Sequence, residues 1–150
     1  MEHRRLIAEA LTLAERAAAL GESPVGCIIL RGEKIIARTF NRRELDKSAT
    51  AHAEILAIEQ ACAALNSWRL TGCTLYVTLE PCPMCAGAIA AARIPLVVFG
   101  AYDPKGGAYG GLFDMNTLGL NHRPEVIGGV LEGECSRVLT AFFAEKRIKT

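Results

Sequence analysis

At 150 residues the chain has the length of one ordinary domain, and a single unit spanning 1–150 is expected. Hydrophobic residues make up 51% and charged residues 22%, an apolar balance that leans toward an oligomer, while the formal net charge of +1 rules out a global field drawing the chain to nucleic acid or membrane. No run reaches the ~20 apolar residues of a membrane helix, and no secretory apolar segment develops after Arg4 and Arg5, so a cytoplasmic protein is expected.

Arg4 to Leu20 reads as an amphipathic helix, with Leu6, Ile7, Ala10, Leu11, Ala14 and Ala17 at helical spacing and Gly21 placed for a C-terminal cap. Two apolar runs, Val25–Leu30 and Ile35–Phe40, flank Arg31-Gly32-Glu33-Lys34 and predict a hairpin. After a polar stretch, a second helix places Ala57, Ile58, Ala61, Cys62 and Leu65 on one face. Thr74–Leu79 alternates as a strand and ends at Pro81, before an Ala/Gly-rich helix from Pro83 to Arg93. Leu96–Phe99 predicts a buried strand, Tyr102–Gly111 a glycine-rich loop, and Val126-Ile127 a last short strand. The closing helix, roughly Leu131 to Lys149, is expected to turn Leu131, Cys135, Val138, Leu139, Phe142 and Phe143 inward. Strands alternating with helices predict an α/β layered domain.

Chemistry concentrates in two fragments, His52-Ala53-Glu54 and Pro81-Cys82-Pro83-Met84-Cys85. A lone Cys-x-x-Cys serves a redox pair, half of a structural zinc site or part of a catalytic one. The remaining cysteines are scattered in apolar runs, as reduced core residues are, and offer no second pair. The redox reading leaves His52 and Glu54 unexplained. A structural site would need a fourth ligand such as His122 or Cys73. His-x-Glu upstream of Pro-Cys-x-x-Cys, each at a loop-to-helix transition, is instead the signature of zinc deaminases. In that reading His52, Cys82 and Cys85 hold one zinc ion, three ligands leave a position open for water, and Glu54 shuttles the proton. Residues two apart diverge on a regular helix, so His52 and Glu54 can flank one site only by straddling the helix entry.

Nearly the whole chain resembles the bacterial tRNA-specific adenosine deaminases of the cytidine deaminase-like superfamily. The resemblance lies in Ala51-His52-Ala53-Glu54, in Thr74 to Cys82, in Met84-Cys85-Ala86-Gly87-Ala88, in Val97 to Ala101, in Asn121-His122-Arg123 and in Phe142-Phe143. It implies a three-layer α/β/α sandwich on a central mixed five-stranded sheet, one zinc per subunit, a homodimer, and a tRNA anticodon arm whose wobble adenosine becomes inosine. On matching positions Asn41 would contact the target nucleotide, Val25 and Ala53 would line its pocket, and Asp103 would sit near its backbone. Lys105, Phe143, Lys146 and Arg147 would contact the anticodon loop. The chain departs from the family pattern at Ser48-Ala49, Tyr102, Tyr109 and Gly111. Deamination of a small substrate (guanine, cytosine or a nucleoside) by the same zinc machinery is the alternative, and an enclosed non-catalytic zinc module is a third reading.

Overall fold

The computed structural model describes residues 2–149; Met1 and Thr150 of the expected 1–150 unit, and the side chain of Lys149, lie outside the described residues. The first helix, α1 (Glu2–Ala19), buries Leu6, Ile7, Ala10, Leu11, Leu13, Ala14 and Ala17 along one stripe. It stops at Gly21, whose φ of 82° permits the closing bonds Glu22 N–H to Ala17 O and Gly21 N–H to Ala18 O. Strands β1 (Gly26–Arg31) and β2 (Lys34–Phe40) form the hairpin, with Arg31 opposite Lys34 across the Gly32-Glu33 turn. Then follow α2 (Ala53–Leu65), β3 (Cys73–Leu79), α3 (Pro83–Ala92), β4 (Leu96–Ala101), β5 (Glu125–Ile127) and α4 (Glu132–Lys149).

The sheet order is β2-β1-β3-β4-β5. The β1 strand pairs antiparallel with both β2 and β3, whereas β3–β4 and β4–β5 are parallel, so the sheet is mixed and five-stranded. Alternation along the strands divides the core. Cys27, Ile29, Leu75, Val77, Val97 and Phe99 face α2 and α3, while Ile28, Leu30, Tyr76 and Val98 face α1 and α4. The result is the expected three-layer arrangement. One close approach seats α1 on the sheet: a side chain at Gly26 would collide with the Ala10 carbonyl oxygen.

The structure corrects the inward face of α4. Cys135 is buried and Val138 and Leu139 are partly buried, but Phe143 is 42% exposed. The helix covers the sheet with its N-terminal half and runs out toward solvent beyond it. Among the described residues no helix is long and apolar enough to cross a membrane.

Candidate metal centre and its cavity

Two helix starts meet at the site. His52 is the N-cap of α2, with extended backbone (φ −72°, ψ 151°), and its side chain makes no capping bond. Glu54 therefore falls in the first turn of α2 while His52 stands outside it, which is the straddled entry that the spacing demanded. Cys82 is likewise the N-cap of α3, extended at φ −76° and ψ 172°, with Pro83 at the position where a missing N–H costs nothing. Unpaired N–H groups and the helix dipole favour thiolates there.

His52 Nδ1 lies 3.7 Å from Cys82 Sγ and 3.5 Å from Cys85 Sγ, and all three donor atoms are within 4.8 Å of one another. A tetrahedral zinc with ordinary bond lengths separates its nitrogen and sulfur ligands by about 3.6 Å. Donor types and spacings therefore fit zinc. His122 and Cys73 do not join the cluster: His122 Nε2 lies 2.6 Å from the Ile94 carbonyl, and Cys73 is a buried strand residue. Among the described residues the cluster therefore offers three donors, the composition of a site that keeps a position for water.

The thiols are coupled. Cys82 is pulled down to about 4, first by its hydrogen bond with Cys85, with burial opposing and His52 assisting, and the same bond drives Cys85 far upward. The pair readily gives up one proton and grips the other. His52 is raised, chiefly by its bond to Cys82. Burial lifts the Glu54 carboxyl to about 7, partly offset by a bond from its own backbone N–H. A carboxyl near neutrality both accepts and returns a proton.

A cavity of about 260 Å³ opens above these groups. Val25, Asn41, Ala53, Asp103 and Phe143 stand on its wall together with His52, Glu54 and Cys82. Lys105 is exposed two residues past Asp103, whose Oδ1 accepts its backbone N–H at 3.0 Å. Lys146 and Arg147 lie one turn beyond Phe143 on α4, Lys146 with its Nζ 5.3 Å from the Phe142 ring centre. The basic pairs near the start of the chain are divided: Arg5 bonds Glu2 and Glu9, Arg42 bonds Asp46, and Arg43 lines the cavity.

Sequence reasoning missed two residues here. Glu22 and Glu80 are buried carboxylates beside the cavity rim. Glu80 accepts the backbone N–H groups of Asp103, Tyr109 and Gly111, each at 2.8 Å. That bonding leaves no room for a side chain at Gly111, which would collide with Glu80 Oε1 and the Asp103 carbonyl. Tyr109, the neighbouring departure, is buried in the core. The only early sign of Glu80 was its place in the Leu79-Glu80-Pro81-Cys82 match; Glu22 gave none.

Residues 1–147 match the model of the MafB19-like deaminase family. A tRNA-specific adenosine deaminase of Bacillus subtilis is 54% identical over 144 residues, which cover 94% of this chain and 88% of that protein. A solved structure from studies of A-to-I editing by tRNA:A34 deaminases at the wobble position superposes with a TM-score of 0.81 at 43% identity, covering 87% of this chain and 95% of the other. A solved guanine deaminase of Bacillus subtilis gives a TM-score of 0.66 at 40% identity, over 68% of this chain and 66% of that one.

Proposed function

Since the chain belongs to the MafB19-like deaminase family and, within it, to the tRNA-specific adenosine deaminases, we propose that it hydrolyses the wobble adenosine of tRNA anticodons to inosine, releasing ammonia. The observation that carries the chemistry is the His52, Cys82, Cys85 trio on two converging helix starts, with Glu54 in the first turn beside it. Zinc, when bound by that trio, supplies an acidified water and a Lewis-acid centre. The remaining work falls to side chains. Val25 and Ala53 give the base an apolar wall, Asn41 and Asp103 orient the nucleotide, and the cavity excludes bulk water. Glu54 carries one proton of the attacking water to the ring nitrogen and then the second, from the hydroxyl so formed on the ring carbon, to the amine, which departs as ammonia. Lys105, Phe143, Lys146 and Arg147 contact the anticodon loop.

A homodimer with one zinc per subunit, working in the cytoplasm, completes the reading. Trp68, Met84, Leu112, Leu118 and Leu120 are large apolar side chains left exposed, of the kind that a partner subunit would cover. Incubation with an anticodon stem-loop bearing a wobble adenosine, in parallel with free adenosine, cytidine and guanine, tests the substrate. Inosine formed in the stem-loop alone is expected. Ammonia released only from a free base or nucleoside would replace this reading with the small-substrate one, which the likeness to a guanine deaminase favours.

A further inference from the structure

Asn41 and Asp103 lie on segments without regular secondary structure, and each segment is fastened by a buried carboxylate. Glu22, 1% exposed, accepts from Asn41 Nδ2 at 3.3 Å and from the backbone N–H groups of Glu44 and Leu45 at 3.2 and 2.6 Å. A carboxylate only accepts, so this contact fixes which end of the Asn41 carboxamide is the nitrogen and how the group is turned. Glu80, 2% exposed and two residues before Cys82 in the chain, receives its three N–H groups from the loop that starts at Asp103. The fit is close on both sides, because a side chain at Gly107 or Gly111 would strike that carboxylate. The Ala108 N–H bond to the Pro81 carbonyl, at 2.9 Å, ties the same loop to the metal-ligand segment.

An apolar side chain would anchor a loop without the cost of burying an acid. A carboxylate that meets several N–H groups in fixed directions specifies one loop conformation. We propose that Glu22 and Glu80 are positioning residues for the substrate: Glu22 sets Asn41, Glu80 sets Asp103, and together they hold the rim at a fixed distance from the metal ligands. The proposal rests on the deaminase reading above.

The test uses the full-length, zinc-loaded protein and the wobble-adenosine stem-loop. Glu22→Gln and Glu80→Gln keep the side-chain shape but replace an acceptor oxygen with a donor. Each should raise KM about tenfold while kcat falls less than about threefold and zinc stays at one per chain. The route is read from coupling: Glu22→Gln should add less than about twofold on an Asn41→Ala background, and Glu80→Gln likewise on Asp103→Ala. Losses that multiply in the double variants, or a fall in kcat and zinc at unchanged KM, overturn the proposal. Should Glu80→Gln not fold, Gly111→Ala crowds the same carboxylate from the loop side and is read on the same split. Failure of the wild type to form inosine would instead defeat the proposed substrate, and the same cycles would then be run with whichever free base or nucleoside it deaminates.

Discussion

Glu54 and Cys82 line one cavity but answer to different assays. Removing the carboxyl by Glu54→Ala should leave metal content unchanged and cut inosine formation by about 10²–10⁴-fold, because a positioned acid–base group contributes on that order. Cys82→Ala should lose both metal and turnover; metal analysis beside a single-turnover assay separates the two. Retention of near-normal activity in Glu54→Ala would end its assignment as the proton shuttle. The ligands were legible in the sequence because metal chemistry restricts residue type and spacing together, and because Pro83 marks a helix start. Glu22 and Glu80 were not legible. A glutamate read alone is a surface residue, and the N–H groups that make Glu80 a buried one lie 23 to 31 residues further along the chain. The glycines of that loop carry the same information in reverse. Gly107→Ala places a methyl group against the Glu80 carboxylate and should destabilise the protein by about 1–3 kcal/mol in denaturant titration.

Among the elements, the helices and the hairpin followed from apolar spacing and from glycine at the turns, while the order of strands did not. The β1 and β3 strands pair although α2 lies between them in the chain, and period-2 alternation is silent about which strand is the neighbour. The tail of α4 was misjudged for a related reason. Phe143 keeps helical phase with Leu139, but the sheet ends before the helix does, so phase no longer implies cover. The seat of α1 on β1 is the contact most open to a single substitution. Gly26→Ala drives a methyl group into the Ala10 carbonyl, where rigid backbone of both elements leaves little room to yield. It should cost at least as much as Gly107→Ala, and circular dichroism melts of the two variants side by side would show it.

For the molecule as a whole, a net charge of +1 leaves RNA affinity to a few local cations. If Lys105, Lys146 and Arg147 each meet a phosphate of the single-stranded anticodon loop, the logarithm of affinity should fall against the logarithm of salt with a slope of about −2. Lys146→Ala should make that slope shallower by about 0.7, and binding titrations of the stem-loop from roughly 50 to 200 mM salt would measure it. A slope unchanged in Lys146→Ala would remove that residue from the interface. Sequence could supply the number of basic clusters but not their separation; the structure gives Arg5 and Arg42 to acidic neighbours and leaves Arg43 at the cavity. The candidate metal donors sit on helix starts, whereas Asn41 and Asp103, the proposed substrate contacts, hang from loops, each with its own buried acid. Inherited change can therefore recut one loop at a time and reach a new base or a new scaffold for that base, while the reaction beneath is passed on intact.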